Sequence, residues 1–167
     1  MTIRVEPIRK QITIECGQEH AFKVFTAGMG GWWPRAHHIG KVEMKSAVVE
    51  PAVGGRVYEV GIDGSECEWG KVLVWDPPRN FTWSWQLTAQ WQYDPDFVTT
   101  VEVKFVAEGP KRTLVQLEHR DLERYGEAAS TIREQLEPGW ILTLDDYAKD
   151  HPELAASIAK FGDGKAA

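Results

Sequence analysis

Apolar and polar side chains alternate along most of the chain between Ile8 and Arg120. A period of two is typical of a β-strand with one buried face. The first such segment runs from Ile8 to Cys16, with Lys10 as a charged exception on its apolar face. Turns such as Asp63-Gly64 separate the later segments, so we predict six further antiparallel strands. In the second strand, the residues predicted to share one face are Val42, Met44, Ser46 and Val48.

Two other stretches have helical spacing. Between the first and second strands, Ala21, Val24 and Phe25 predict a short helix, and residues 29–34 predict one further helical turn. After Asp121 a longer helix is predicted, in which Pro138 should cause a kink or divide two abutting helices. Its apolar stripe consists of Ala129, Ile132, Leu136, Trp140, Leu144 and Tyr147.

These elements predict an α+β fold. A seven-stranded curved antiparallel sheet should wrap around the long C-terminal helix, with two short helices between strands 1 and 2. A curved sheet and a straight helix do not mate fully, so we expect a cavity between them. Residues 1–150 are predicted to form one domain, and residues 151–167 a short helix and tail.

The chain contains eight tryptophans, and their placement is the most informative feature for function. Each buried aromatic ring removes roughly 150–250 Å² from water, so the fold needs a very bulky core or an aromatic-lined cavity. We favour the cavity, because the rings lie on strands, a turn and the last helix that all face one space. The predicted ligand-binding residues are Trp33, Trp69, Phe81, Trp83, Trp85, Val101, Val103, Val115, Leu117, His119, Leu136, Trp140 and Leu144.

Composition narrows the class of partner. The net charge of −6 argues against nucleic acid, whose phosphates require a basic face. No apolar run reaches membrane-spanning length and no signal peptide precedes the first strand, so we expect a cytoplasmic protein without a membrane partner. The two cysteines, Cys16 and Cys67, are too few for a disulfide framework.

Candidate chemistry is sparse. His119 shares a face with apolar residues, where it is either a polar anchor or general base or a hydrogen-bonded structural histidine. Neighbouring His37 and His38 should point in opposite directions, so we predict no metal site.

The sequence lacks phosphate-binding, dinucleotide-binding and nucleophile-elbow motifs, and we predict no cofactor. On one strand face, Arg56 and Tyr58 are either anchors for an acidic ligand or a surface Arg with a buried Tyr. Glu66 and Glu68 are either an acid–base pair or a solvated edge.

Several motifs occur together in an order that resembles a known superfamily. They are Gly31-Trp32-Trp33-Pro34, the segment from Glu50 to Arg56, the segment from Gly70 to Pro78 with Phe81-Thr82-Trp83, and Gly139-Trp140. The chain resembles START-like (helix-grip) proteins, and most nearly bacterial proteins similar to the C-terminal domain of the activator of Hsp90 ATPase. The resemblance implies the helix-grip fold and a site for hydrophobic molecules.

Three functions follow as hypotheses. The first is non-catalytic binding of a small hydrophobic or aromatic molecule between the sheet and the C-terminal helix. The second is a cyclase or dehydratase that uses a pocket His or an Arg/Tyr pair as its acid–base group. The third is an interaction module for a chaperone. We expect a monomer or a homodimer.

Overall fold

A computed structural model describes residues 5–149, so the helix and tail predicted for residues 151–167 lie outside the described part. Within it, a seven-stranded antiparallel sheet is the main element. The strands are β1 (Ile8–Ile14), β2 (Met44–Val49), β3 (Arg56–Gly61), β4 (Glu66–Asp76), β5 (Asn80–Trp85), β6 (Thr99–Gly109) and β7 (Arg112–Arg120). Their spatial order is β1-β7-β6-β5-β4-β3-β2. The first strand therefore closes against the last one, while the intervening strands form a meander.

The helices lie at two points of the chain. Helices α1 (Gln18–Thr26) and α2 (Met29–Trp32) connect β1 to β2, and a 3-10 helix (Leu122–Ala128) leads from β7 into the long helix α3 (Ala129–Lys149). The curved sheet wrapped around α3 confirms the predicted helix-grip fold.

Helix α3 covers the inner face of the sheet with a stripe at spacings of three and four residues. All six residues predicted for this stripe are buried. The inner face of the sheet supplies matching side chains from alternate positions, as in β7, where Val115, Leu117 and His119 are buried. Each Å² of apolar area buried in this contact contributes roughly 25 cal/mol to stability.

Aromatic packing fills the end of the molecule near α1. Phe25 of α1 is the centre, with ring centroids 5.0 Å from Tyr147, 5.7 Å from Phe105 and 6.3 Å from Phe81. The Tyr147 hydroxyl donates to the Ala21 carbonyl across 2.8 Å and links α3 to α1. This end of the sheet is therefore a packed core.

One local prediction was wrong, and one open alternative is decided. The pairing of β2 with β3 shifts register between Met44 and Ser46, so Ala47 and Val49 are buried instead of Ser46 and Val48. A β-bulge moves all later side chains to the opposite face, which a simple alternation cannot anticipate. Helix α3 also continues through Pro138 as one element, so the alternative of two abutting helices does not hold.

Candidate functional site

A pocket of about 290 Å³ lies where β5 ends, between α3 and the loop that follows α2. Its volume is near the lower end of the range usual for small-molecule sites, roughly 300–1,000 Å³. Most of the lining is apolar or aromatic. The lining residues are Trp33, Ala36, His37, His38, Ile39, Trp85, Trp91, Gln135, Leu136, Gly139, Trp140 and Thr143.

Trp140 is the central ring of the pocket wall. Its ring centroid lies 5.3 Å from that of Trp85 and 6.0 Å from that of Trp33, and the ring of Trp33 is perpendicular to it. Tilted and edge-to-face pairs of this kind are the arrangements that aromatic rings prefer. All three tryptophans are buried, so the fold itself fixes this wall.

Trp91 contributes to the rim from the loop between β5 and β6, and 37% of its surface is exposed. Its φ angle of 59° lies in the left-handed region, which bulky residues rarely adopt. Hydrogen bonds hold this loop, because Trp91 N donates to Thr88 O and Thr88 N donates to Gln92 O. Trp91 thus keeps an uncommon left-handed backbone conformation at the rim of the pocket, where its indole is partly exposed.

His119 lies behind the tryptophan wall and is completely buried. The Trp140 indole N–H donates to its Nδ1 across 3.1 Å, so Nδ1 carries the lone pair and Nε2 carries the proton. Nε2 in turn donates to the Thr99 hydroxyl across 2.8 Å, and this hydroxyl donates to the Trp85 carbonyl across 3.0 Å. Burial lowers the pKa of His119 to about 3. The ring is therefore neutral at neutral pH, and both of its nitrogens are engaged inside the protein.

A second histidine, His38, lies on the pocket wall itself. Its Nδ1 is 2.9 Å from the Gly40 carbonyl and 3.7 Å from Oε2 of Glu59. Glu59 is buried, and its Oε1 accepts hydrogen bonds from the Trp69 indole at 3.0 Å and from the Ile39 backbone N–H at 2.5 Å. The loop that carries His38 is thus tied to a buried carboxylate on β3.

Cys67 lies next to Glu59, with which it is paired across β3 and β4. Burial, and then the negative charges of Glu59 and Glu68, raise the pKa of the Cys67 thiol to about 11. Because the thiolate is the reactive form, this cysteine is a poor nucleophile at neutral pH.

The predicted ligand-binding residues divide between the pocket and the core beneath it. Trp33, Trp85, Leu136 and Trp140 line the pocket, and Trp69 packs behind Trp33 with ring centroids 4.8 Å apart. Contact with a ligand stays a prediction for the whole set. The predicted residues that are buried in the core are Phe81, Trp83, Val101, Val103, Val115, Leu117, His119 and Leu144.

The polar residues predicted on β3 and β4 face away from the pocket. Arg56 bonds to Glu66 at 2.6 Å and to Glu68, and its guanidinium lies 3.9 Å from the centre of the Tyr58 ring. The buried residues of β3 are Val57, Glu59 and Gly61. Arg56 and Tyr58 thus lie together on the outer face and both are half-buried, so the structure shows neither inward-facing anchors nor a fully buried Tyr58. These side chains do not approach the pocket, and none of the described lining residues is Arg or Tyr.

Sequence reasoning misses three residues of this region. It leaves Trp91 out of the predicted ligand-binding residues, considers His38 only as a metal ligand and does not single out Glu59. The alternation of β3 contains a usable indication, because Glu59 shares a face with Val57, opposite Arg56 and Tyr58. A carboxylate on the apolar face of a strand needs a buried partner.

Within residues 5–149, no cluster of three or more His, Cys, Asp or Glu side chains is arranged to hold a metal ion. None of the helices in that part of the chain combines the length and apolar character needed to cross a membrane.

Solved structures that resemble this chain along most of its length include a synthase and a resistance protein. The anthrahydroquino-gamma-pyrone synthase Txn09, complexed with SUM, is 38% identical, with a TM-score of 0.62 over 89% of this chain and 99% of the synthase. The self-sacrificing resistance protein CalC from Micromonospora echinospora is 30% identical, with a TM-score of 0.66 over 86% of this chain and 92% of CalC.

Two curated relatives match only a short segment. The 3-oxo-isoapionate-4-phosphate decarboxylases of Rhizobium etli and Rhizobium rhizogenes are 77% identical over 26 residues. This segment is 16% of the present chain and 6% of either decarboxylase, so it carries no argument about the whole protein.

The family model of the activator of Hsp90 ATPase homolog 1-like proteins matches residues 17–148, from α1 to the last turn of α3. Because this match spans most of the chain and the fold agrees with it, the protein belongs to the family of activator of Hsp90 ATPase homolog 1-like proteins.

Proposed function

We propose that this protein binds a small, flat aromatic molecule in the tryptophan-lined pocket. The observation that carries the proposal is the arrangement of Trp33, Trp85 and Trp140 as a fixed wall, with Trp91 at the rim. Aromatic side chains offer a large contact area with little conformational entropy to lose, and they favour flat partners that stack or meet ring edges.

The polar groups of the pocket are few, which suits recognition by shape with one or two orienting contacts. The Thr143 hydroxyl is already engaged, since it donates to the Gly139 carbonyl across 2.8 Å. The imidazoles of His37 and His38 and the amide of Gln135 remain as orienting groups on the wall. We therefore expect a mainly aromatic ligand with one or two polar substituents.

The comparison with the synthase supports a fused-ring ligand. Its name designates an anthrahydroquinone joined to a pyrone, and it is 38% identical to this chain. The alternative hypothesis of a cyclase or dehydratase draws on the same relative. Binding of an aromatic molecule is the part of the proposal that both hypotheses share.

Binding can be tested with 2-methoxyanthraquinone as a flat probe and dodecanoate as a flexible apolar one. Titration of each into the protein, followed by tryptophan fluorescence and by calorimetry, should show saturable quenching and heat for the anthraquinone. Dodecanoate should bind more weakly, because it gains no ring contacts. Equal affinity for the two probes, or no saturable binding of the anthraquinone, would contradict the proposal.

A variant at the rim locates the site. Trp91→Gly removes the indole and suits the left-handed backbone, so the fold should be kept. Loss of one aromatic contact should weaken anthraquinone binding about fivefold to tenfold. The control is Tyr58→Ala, which removes an aromatic ring from the outer face of β3 and should leave the affinity unchanged. Equal affinities for both variants would place the ligand elsewhere.

A further inference from the structure

His38 and Glu59 form a carboxylate–histidine pair at the edge of the pocket. The two residues are separated by 21 positions in the chain, but their side chains approach to 3.7 Å between Nδ1 and Oε2. The histidine lines the pocket and is partly exposed, whereas the glutamate side chain is only 1% exposed. An imidazole in contact with the pocket thus lies directly against a buried carboxylate.

Only one of the two carboxylate oxygens of Glu59 has hydrogen-bond partners in the described part of the protein. Its Oε1 accepts from Trp69 and Ile39, but Oε2 has no hydrogen-bond partner within the described residues. An unsatisfied buried carboxylate oxygen costs more stability than an ordinary lost hydrogen bond, because the group is charged. Such a cost is explained if a positive charge is formed nearby during function, and His38 is the group in position to carry it.

The hydrogen bonds of His38 define which nitrogen can act. Both neighbours of Nδ1, the Gly40 carbonyl and Glu59 Oε2, are acceptors, so Nδ1 carries the proton. Neutral His38 therefore has its lone pair on Nε2, which takes part in no hydrogen bond within residues 5–149. The lone pair belongs to a side chain of the pocket wall, so Nε2 can accept a proton from a bound molecule.

We propose that His38 accepts a proton from an acidic hydroxyl, a phenol or an enol, of the aromatic ligand. The O–H bond of the ligand breaks, its proton forms a bond to Nε2, and the electron pair stays on the ligand oxygen as a phenolate or enolate. Glu59 is the positioning residue, because its carboxylate lies 3.7 Å from Nδ1 and balances the imidazolium charge. This inference rests on the proposed function and adds the ligand's chemical class.

No other titratable group described near His38 takes the role of Glu59 in balancing its charge. Cys67, on β4 beside Glu59, keeps its proton because burial raises the pKa of its thiol. His37 also lines the pocket, and its Cε1 lies close to Gly139 of α3. Glu59 is thus the charged group that faces His38 from the sheet.

The test compares two probes that differ in one proton, 2-hydroxyanthraquinone and 2-methoxyanthraquinone. At a pH at which the free hydroxy probe is protonated, the bound probe should show the longer-wavelength absorption of its phenolate. Pairing of the phenolate with the imidazolium should also make the hydroxy probe bind about tenfold more tightly than the methoxy probe.

Two substitutions assign the roles. In His38→Gln the phenolate band should disappear and the two probes should bind with equal affinity. In Glu59→Gln, which keeps an acceptor for Trp69, the hydroxy probe should still bind, but its phenolate fraction should fall. The matched control is His20→Gln, which removes an exposed imidazole on α1 and should leave the band and the affinities as in the wild type.

Each outcome decides between the two proposals. If both probes bind the wild type equally and the hydroxy probe stays protonated, or if the band persists in His38→Gln, proton transfer to His38 is excluded while aromatic binding stands. A phenolate fraction unchanged in Glu59→Gln would exclude the charge-balancing role of Glu59. If neither probe binds, the proposed function fails and this inference fails with it.

Discussion

The indole N–H of Trp140 donates to Nδ1 of His119 across 3.1 Å and joins α3 to β7 behind the pocket. This bond determines the tautomer of His119, whose Nε2–H therefore donates to the Thr99 hydroxyl. The Thr99 hydroxyl in turn donates to the Trp85 carbonyl. Two tryptophans of the pocket wall are therefore connected through a buried histidine. The wall is rigid for this reason, and the histidine is unavailable as a base.

Replacement of Trp140 should show the energetic value of that bond. Trp140→Phe leaves Nδ1 of buried His119 without a donor, which costs about 1–3 kcal/mol in addition to the lost packing. Trp83→Phe is the matched control, because Trp83 is equally buried but its Nε1 has no hydrogen-bond partner in the described part of the chain. Urea unfolding should show Trp140→Phe to be the less stable variant by this amount, and equal stabilities would contradict the network.

The pH dependence of stability should reveal His119. Burial lowers its pKa to about 3, whereas an unfolded histidine titrates near 6.5. The unfolded state therefore binds a proton first, so the contribution of neutral His119 is complete above about pH 6.5 and is lost as the pH falls towards 3. The loss should approach about 1.4 kcal/mol per pH unit in that interval.

The control for this experiment is His119→Gln, in which the amide can replace both hydrogen bonds but does not titrate. Carboxylates contribute equally to the pH dependence of stability in the wild type and in this variant. The difference between the two free energies of unfolding therefore reports the contribution of His119 alone. That difference should shrink between about pH 6.5 and about pH 4. A constant difference would show that His119 has an ordinary pKa.

Gly70 should tolerate no side chain. A Cβ atom there would lie 1.7 Å from the Ser84 carbonyl oxygen on neighbouring β5, and a backbone atom of a central strand cannot move aside. Gly70→Ala should therefore destabilise the protein by about 3 kcal/mol or more. Gly31→Ala is the control, because no atom lies within 4 Å of its added Cβ, and it should be neutral or slightly stabilising. Thermal unfolding of both variants measures the difference.

The ion pair between Lys10 and Glu137 joins β1 to α3 at the surface, with the two charged atoms 2.8 Å apart. The hydrogen bond from Lys10, and then the charges of Lys10 and Arg133, lower the pKa of Glu137. A lowered carboxyl pKa stabilises the fold above the unfolded pKa, and this contribution is lost in acid. Glu137→Gln should cost at most about 1 kcal/mol at neutral pH and nothing in acid.

Salt provides a further check, because a partly exposed ion pair is screened by salt, so the effect of Glu137→Gln should decrease at high ionic strength. Glu134→Gln, at an exposed position of the same helix, should be neutral throughout. An effect of Glu137→Gln that persists in acid and in salt would indicate a packing role instead.

The helix-grip fold was predictable because its determinants are local. Alternation in β7 placed Val115, Leu117 and His119 on the inner face, and spacings of three and four residues placed Leu136 and Trp140 on the buried stripe of α3. Side-chain direction follows from backbone geometry alone in regular strands and helices. Prediction failed in β2, where a bulge at Met44 and Ser46 changed the period.

The sequence by itself therefore determined the sheet, the covering helix and the set of aromatic residues between them. The tertiary structure decided which of these rings are core and which face the pocket, and it brought His38 to Glu59. The physical reason is that both outcomes depend on the path of the loops after α2 and β5 and on strand register. These are set by packing between residues far apart in the chain, which no local pattern records.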